Sequence, residues 1–212
     1  MTEQSFKRSW NSLMKWRTEC FQRFGPIHDL PVRSVEDQMS DLLFPHSRVL
    51  DVGAGAHKPF RKFFTEKTDT YFSLDTDPAG DFDFHSFRDM PADQMFDLVL
   101  ANQVLEHMLI DDAVDTVDAV FAHLEVGGHF VATVPNAAHP VRQRDPTHLT
   151  PWPANDLYSL LRSAGFEVVS MARFNKFPLT TDPLKRWVVE TVCQEFRVDW
   201  CDSVMATGKK IP

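Results

Sequence analysis

Two stretches of the sequence carry side chains whose types and spacing suit acid–base or metal chemistry. In ANQVLEHM, Gln103, Glu106 and His107 occupy positions i, i+3 and i+4, which share one face if the stretch is helical. His148 lies in the second stretch, HPVRQRDPTHLTPW. An imidazole gains and loses a proton near neutral pH, and glutamate and histidine side chains also bind divalent metals. We therefore predict His107 and His148 as catalytic residues.

Three interpretations of these side chains stay open. In the first, His107 or His148 is a general base that removes a proton from a hydroxyl or an amine. In the second, both histidines bind a divalent metal with Glu106 and Gln103, although the neutral Gln103 amide is a poor ligand for a hard cation. In the third, Glu106 and His107 have a structural role: they bridge backbone or loop groups and position the neighbouring ligand pocket. We assign no metal from the sequence alone.

The second stretch also carries two arginines, Arg142 and Arg144. A guanidinium can bind a substrate carboxylate or phosphate through two parallel hydrogen bonds. The neighbouring Asp145 offers an alternative, in which the arginines form solvated ion pairs within the loop. Both arrangements are compatible with the sequence.

A glycine turn after the apolar segment VLDV is the clearest binding signal in the sequence. Gly53 and Gly55 let the backbone approach a ligand closely, and Asp75 ends another apolar segment twenty positions after Gly55. A carboxylate at that position can bind both hydroxyls of a ribose. Lys58 stands where dinucleotide-binding loops have a third glycine, which favours a nucleoside with a short charged tail over a dinucleotide.

Strands and helices alternate along the predicted fold, and this order places the glycine turn. Apolar segments predict strands at Arg48–Val52, Thr70–Leu74, Asp81–Phe84, Phe96–Ala101, His129–Val134, Phe166–Met171 and Ser203–Ala206. Helical periodicity predicts helices at Ser5–Phe24, Val32–Leu43, His57–Thr65, Gln103–Ile110, Ala113–Leu124, Asn155–Ala164 and Pro183–Phe196. The alternation predicts an α/β fold, a mostly parallel sheet with helices on both faces. Ligands of such sheets bind at the carboxyl ends of the strands, where the glycine turn lies.

Composition and charge narrow the class of protein. The 212 residues include 43% hydrophobic and 25% charged residues, as expected for a soluble globular chain. The net charge of −8 argues against bulk nucleic-acid binding. Three separated cysteines indicate neither a disulfide framework nor a thiolate metal site, and no segment resembles a signal core or a membrane span. We therefore expect a cytoplasmic protein that does not bind membranes.

The predicted helices and strands divide the chain into two parts. Residues 1–44 are predicted to form a helical N-terminal lid, and residues 45–212 a domain that contains the sheet. Two insertions, at about 136–153 and 174–200, follow predicted strands and are rich in aromatic or basic residues. Long loops in compact domains are usually functional, so we expect the lid and the insertions to select the substrate.

Five motifs together resemble a known enzyme family. In chain order they are VLDVGAGA, YFSLDTDP, FDLVLANQVLEHM, LEVGGHFVATVPN and LLRSAGFEVVSM. Their order and spacing between Val49 and Met171 are similar to those of class I S-adenosylmethionine-dependent methyltransferases, of the type 11 and type 23 kind. The resemblance implies a Rossmann-like, seven-stranded sheet whose last strand is antiparallel, with S-adenosylmethionine as the cofactor.

The resemblance also implies roles for particular residues. Gly53 and Gly55 would line the methionine end of the cofactor beside Asp51, and Asp75 would hold the ribose. Ser86 stands where the family usually has the acid that binds adenine, and Phe87 would either stack on adenine or pack in the core. The predicted cofactor-binding set is Asp51, Gly53, Gly55, Asp75, Thr76, Ser86, Phe87, Asn102 and Gln103.

The resulting functional prediction is methyl transfer from S-adenosylmethionine to a small-molecule acceptor at an oxygen atom. Two alternatives stay open. The chain could be a catalytically silent cofactor-binding module that acts through a partner, or it could methylate an RNA end, because Trp152 and arginines surround His148. A nicotinamide oxidoreductase is a third option, against which the missing third glycine argues. The sequence leaves homo-oligomerisation open.

Overall fold

The computed structural model describes residues 10–140, 145–175 and 180–212, and the side chains from residue 14 onward. Its strands are β1 (Arg48–Val52), β2 (Thr70–Leu74), β3 (Phe96–Asn102), β4 (Leu124–Pro135), β5 (Glu167–Phe174) and β6 (Ser203–Lys209). Its α-helices are α1 (Trp10–Phe24), α2 (Val35–Ser40), α3 (Arg61–Thr65), α4 (Ile110–Ala122), α5 (Ala154–Ser163) and α6 (Pro183–Glu195). Short 3-10 turns lie at Ile27–Asp29, Phe87–Asp89 and Leu105–His107.

The six strands form one mixed sheet in the order β2-β1-β3-β4-β6-β5. The first four are mutually parallel, and β6 runs antiparallel between β4 and β5. The structure thus confirms the predicted α/β class and the antiparallel last strand. Because β1 to β4 are parallel, their carboxyl ends all lie at one edge of the sheet.

The predicted strand Asp81–Phe84 differs from expectation, because this segment makes only one parallel bridge, between Phe84 and Leu74. The carboxylate of Asp83 accepts hydrogen bonds from the Ser73 backbone N–H at 2.8 Å and from the Ser73 hydroxyl at 2.7 Å. The backbone N–H of Ser73 in β2 is therefore bonded to a side chain, whereas in a continuous strand pair it would be bonded to a backbone carbonyl. The sheet has six strands and a bridge in place of seven strands.

The central strands are buried on both faces, as their continuous apolar runs predict. Alternate residues enter two different apolar clusters: Leu50 and Val99 belong to one, and Val49 and Leu98 to the other. Because successive side chains of a strand point to opposite faces, the two clusters are the cores above and below the sheet. The two cores hold the central strands in place, and with them the carboxyl ends of these strands, where ligands of such sheets bind.

Helix α1 packs against α5 through both apolar and polar contacts. The Tyr158 hydroxyl donates a hydrogen bond to Glu19 at 2.6 Å, and the Tyr158 ring lies edge-on to Phe24, with 6.0 Å between centroids. Arg17 is also hydrogen-bonded to Asp156. These contacts hold the N-terminal helix next to the segment that follows β4.

A buried arginine holds several loops together beyond the carboxyl end of β4. The Arg173 guanidinium, 7% exposed, donates to the His28 and Leu30 carbonyls at 2.9 and 3.0 Å and to Asp199 at 3.0 Å. The other oxygen of Asp199 accepts a hydrogen bond from the Asn136 amide at 2.9 Å. A buried charge that is paired and hydrogen-bonded to several segments fixes their relative positions. Among the residues described, no helix has both the length and the apolarity that crossing a bilayer requires.

Candidate active site

The glycine turn after β1 has the backbone conformation that glycine favours. Gly53 and Gly55 have φ angles of +67° and +64°. A Cβ atom on Gly53 would lie 2.4 Å from Val104 Cγ2, so the turn could not carry a side chain there without rearrangement. A Cβ on Gly55 would meet nothing within 4 Å, which means that the turn opens towards free space at this position. A ligand can therefore approach the backbone closely at Gly55.

Asp75 lies directly against this turn. Its Oδ2 atom is 2.9 Å from the Gly55 nitrogen and accepts that N–H, while Oδ1 accepts from the Asp77 nitrogen at 3.1 Å. The Gly53 N–H donates to the Leu74 carbonyl at 2.8 Å. The ends of β1 and β2 are thereby joined, with the Asp75 carboxylate half-buried between them and the exposed Thr76 next to it.

Asp51 lies below the turn, within β1, and is only 2% exposed. The Tyr71 hydroxyl donates a hydrogen bond to Asp51 Oδ2 at 2.9 Å. Burial raises the pKa of Asp51 to about 7, despite the opposing effect of the Tyr71 hydrogen bond. The site thus contains a carboxyl group whose charge changes near neutral pH. The sequence did not reveal Tyr71, because only the pairing of β1 with β2 brings it to Asp51.

The chain turns sharply at the end of β3, and this corrects the predicted helix Gln103–Ile110. Gln103 has a φ angle of +57°, and the segment forms only the 3-10 turn Leu105–His107 before α4. The Gln103 backbone N–H and side-chain amide lie 3.1 and 3.2 Å from Thr133 Oγ1, and the Thr133 hydroxyl donates to Asn102 at 2.8 Å. Gln103 is therefore bonded to β4 and does not share a helical face with Glu106 and His107, so that prediction is wrong.

The second predicted stretch folds back onto the 3-10 turn and the residue after it through several hydrogen bonds. The Glu106 carbonyl accepts from the Leu149 and Thr150 nitrogens at 2.7 and 3.1 Å. The Thr150 hydroxyl donates to the Met108 carbonyl at 2.7 Å, and the Trp152 indole N–H donates to the Leu105 carbonyl at 3.0 Å. These bonds hold both predicted stretches together, although they are about forty residues apart in the chain.

His107 and His148 form a close pair because these hydrogen bonds hold the two stretches together. Their ring centroids are 4.8 Å apart at an interplanar angle of 76°. His107 Nδ1 lies 3.0 Å from Thr147 Oγ1, and the Thr147 hydroxyl donates to Asp145 at 2.6 Å. Ligand atoms of Glu106, His107 and His148 all lie within 4.8 Å of one another. The structure therefore brings the two predicted catalytic histidines together.

Ser86 and Phe87 have partners of their own in the segment before β3. The Ser86 hydroxyl donates to Asp89 at 3.0 Å, and the Phe87 ring stacks on His123 with 6.0 Å between centroids. Phe87 also packs against the larger apolar core. Their predicted contacts with adenine stay predictions. Arg142 and Arg144 lie outside the described residues.

A cavity of about 250 Å³ lies between α1, the segment before α2, the residues after β4 and the start of α5. Its wall includes Cys20, Phe21, Ile27, Leu30, Ala137 and Ala154. Sequence reasoning named the surrounding regions as substrate-selecting but did not find the cavity, since it exists only where α1 meets α5. It lies beyond the carboxyl end of β4, on the edge of the sheet that carries the glycine turn.

Comparisons with known proteins agree with the motifs. Residues 26–171 match a family described as "Methyltransferase domain". No curated protein sequence matches that of the chain.

Solved structures with the same fold include several methyltransferases. An S-adenosylmethionine-dependent methyltransferase from Archaeoglobus fulgidus has a TM-score of 0.65 and 18% identity, over 82% of this chain and 90% of that one. A Haloferax volcanii complex of the activator Trm112 with a methyltransferase described as putative scores 0.62 at 16% identity, with 95% and 96% coverage. The N-methyltransferase NodS from Bradyrhizobium japonicum scores 0.56 at 15% identity, with 84% and 94% coverage. The chain therefore belongs to the methyltransferase-domain family, and it is a class I S-adenosylmethionine-dependent methyltransferase.

Proposed function

We propose that the enzyme transfers the methyl group of S-adenosylmethionine to an oxygen atom of a small-molecule acceptor. The cavity between α1 and α5 is the observation that carries this proposal. Its volume of about 250 Å³ suits part of a small molecule, and Phe21, Ile27 and Leu30 give it an apolar wall. The net charge of −8 makes a nucleic-acid polymer a poor acceptor.

The cofactor half of the site follows from the glycine turn. Asp75 would accept hydrogen bonds from the ribose hydroxyls, because its carboxylate already lies at the open side of the turn, 2.9 Å from Gly55. Gly53 and Gly55, with Asp51 beneath them, would line the methionine end. Thr76, Ser86, Phe87, Asn102 and Gln103 complete the proposed set, with Ser86 and Phe87 on the adenine side.

The acceptor half has little covalent chemistry to perform. The sulfonium of the cofactor already activates the methyl group, so the protein must align the acceptor oxygen with the methyl carbon and the sulfur. A hydroxyl acceptor also loses a proton when its oxygen is methylated. We propose that His107 and His148 assist this loss, since their imidazoles lie together beyond the carboxyl end of β3.

The proposed lid and insertions belong to the acceptor half of the site. Residues 1–44 would form a lid over the acceptor, and residues 136–153 and 174–200 would select it, within the domain of residues 45–212. The cavity supports this arrangement, because its wall combines Phe21 and Ile27 from the first part with Ala137 and Ala154 from the second.

The experiment that tests this proposal measures S-adenosylhomocysteine release and identifies the methylated product by mass spectrometry. The acceptor panel would contain phenols, aliphatic hydroxy acids, amines, thiols and short single-stranded RNA. We expect a product with an oxygen acceptor of low molecular mass. A product formed only with RNA, or only with an amine or a thiol, would contradict the proposal.

A silent module that acts through a partner is the second candidate. Apolar side chains on α6 and directly after it favour this candidate, because Leu184, Trp187 and Phe196 are 69%, 61% and 71% exposed. The Haloferax volcanii methyltransferase similar to this chain is itself in a complex with an activator. Cofactor binding without product from any acceptor, together with a stable complex with a partner, would favour this candidate.

A further inference from the structure

The geometry points to a binding site for one divalent transition-metal ion, such as Zn²⁺, formed by Glu106, His107 and His148. The ligand atoms of the three side chains lie within 4.8 Å of one another. Binding of the ion follows from these residues alone. Its role in catalysis rests on the proposed function, because the ion would bind the acceptor oxygen.

The first argument is that the Glu106 carboxylate is buried and has no hydrogen-bond partner in the described part of the chain. The residue is 2% exposed, and neither carboxylate oxygen has a hydrogen-bond partner among the described residues. A buried ionised carboxylate without a partner costs several kcal/mol, so it needs a proton or a cation. The imidazoles of His107 and His148 lie beside this carboxylate.

The second argument is the orientation of His107. The Thr147 hydroxyl donates its proton to Asp145 at 2.6 Å, so its oxygen accepts the proton of His107 Nδ1 at 3.0 Å. The Thr147 carbonyl lies 3.3 Å from the same nitrogen. A neutral imidazole with its proton on Nδ1 has a free electron pair on Nε2, which is the form that binds metals. Such a hydrogen bond behind the ring is the usual support of a metal-binding histidine.

The third argument is that the ligands are already assembled. Glu106 and His107 lie on the 3-10 turn and His148 on the folded-back segment, and the Leu149 N–H bond to the Glu106 carbonyl at 2.7 Å joins the two. Ligand atoms around a tetrahedral Zn²⁺ are about 3.4 Å apart, from bonds of roughly 2.0–2.2 Å. The present separations, which reach at most 4.8 Å, exceed that spacing by no more than about 1.4 Å.

The donor set indicates which ions fit. Two imidazole nitrogens and one carboxylate suit zinc and other first-row transition metals, whereas Mg²⁺ and Ca²⁺ prefer oxygen ligands. Gln103 is turned towards β4, where its amide nitrogen donates a hydrogen bond to Thr133 Oγ1 at 3.2 Å. Three protein ligands leave a coordination position open for an exchangeable oxygen, as in catalytic zinc sites.

An acceptor hydroxyl in the open position would lose its proton more easily, because the ion stabilises the resulting alkoxide. The proton leaves to solvent. An oxygen electron pair then forms the new bond to the methyl carbon, and the carbon–sulfur bond breaks to leave S-adenosylhomocysteine as a neutral thioether. In this scheme the two histidines assist proton loss through the ion.

Metal binding is tested on the full chain after removal of metals with a chelator. Zn²⁺ binding is measured by equilibrium dialysis with elemental analysis, and Co²⁺ binding by the visible spectrum of the bound ion. We expect one ion per chain, and affinities at least tenfold weaker in Glu106→Gln and in His148→Ala. His46→Ala is the matched control, because His46 is a surface histidine whose Nδ1 lies 2.8 Å from an Asp69 oxygen.

Circular dichroism melting of each variant shows whether its fold is retained. Retained folds with Zn²⁺ affinities equal to that of the unsubstituted chain would overturn the site, as would a chain that binds no ion at all. A Co²⁺ spectrum unaffected by His148→Ala would overturn it too. The proposed function fails separately, if the metal-loaded enzyme methylates no oxygen acceptor. Full methyl transfer after chelation would refute the catalytic role of the ion.

Discussion

The side chain of Asp75 accepts a hydrogen bond from the backbone N–H of Gly55, with 2.9 Å between Oδ2 and the nitrogen. The contact joins the ends of two parallel strands, β1 and β2, at the edge where ligands of α/β sheets bind. It also holds the carboxylate beside the part of the turn where a side chain would meet nothing within 4 Å. A ribose bound there would meet a carboxylate that is already oriented.

Substitution of Asp75 by alanine should therefore weaken S-adenosylmethionine binding at least tenfold, about 1.4 kcal/mol. The variant loses the acceptor for the ribose hydroxyls and the bond that positions the turn. Isothermal titration calorimetry measures the effect. Asp69→Ala is the control, because Asp69 is an exposed acid at the opposite end of β2. Equal affinities of the Asp75 variant and the unsubstituted enzyme would show that the ribose assignment is wrong.

Gly55→Ala should weaken cofactor binding with only a small loss of stability. The added methyl group meets no protein atom within 4 Å, so the folded state suffers mainly the strain of a φ angle of +64°, about 1–2 kcal/mol. The same methyl group would occupy the space through which the cofactor approaches the turn. Calorimetry with S-adenosylmethionine and chemical denaturation measure the two effects.

Gly127→Ala is the matched control for this glycine. Its φ angle is +88°, its Cβ would also meet nothing within 4 Å, and it lies at the amino-end side of the sheet. Both variants should lose similar stability, but only Gly55→Ala should bind the cofactor less tightly. Equal cofactor affinities of the two glycine variants would show that the ligand does not approach Gly55.

The bounds of β1 and β2 could be predicted from the sequence, because both strands are short apolar runs between breaks in the apolar pattern. The glycine turn and Asp75 could be predicted for the same reason: each directly follows a strand. The turn at Gln103 could not. A glutamine at a φ angle of +57° has no local sequence signal, and hydrogen bonds from Gln103 to Thr133 across the sheet stabilise it. The partnership of Tyr71 with Asp51 likewise depends on strand register.

Asp51→Asn should change how stability depends on pH. The pKa of Asp51 is raised to about 7 in the fold, above its ordinary value of 3.8, so the folded state binds its proton more tightly than the unfolded state does. This contribution to stability is complete below the ordinary value and is lost as the pH rises towards 7. Between pH 5 and pH 8 the loss is on the order of 2–3 kcal/mol.

The asparagine variant has no such proton, although its amide oxygen can still accept the Tyr71 hydroxyl. Relative to the unsubstituted enzyme, it should therefore become more stable as the pH rises from 5 to 8. Urea denaturation at several pH values, without cofactor, measures the difference in unfolding free energy. Parallel curves for the two proteins would mean that Asp51 does not titrate in this range. The comparison cancels the contribution of His129, whose pKa is lowered by burial and whose effect has the opposite sign.

Phe21→Ala should raise the KM for the acceptor while leaving the affinity for S-adenosylmethionine unchanged. The Phe21 ring lines the cavity but is 64% exposed, so its removal should hardly affect folding. Loss of an apolar contact of about 1 kcal/mol corresponds to about a fivefold higher KM. Phe44→Ala is the matched control, because Phe44 is 54% exposed and lies before β1, at the opposite edge of the sheet. Steady-state kinetics with the acceptor and calorimetry with the cofactor separate the two halves of the site. An unchanged acceptor KM would place the acceptor elsewhere, whereas a weakened cofactor would show that α1 contacts S-adenosylmethionine.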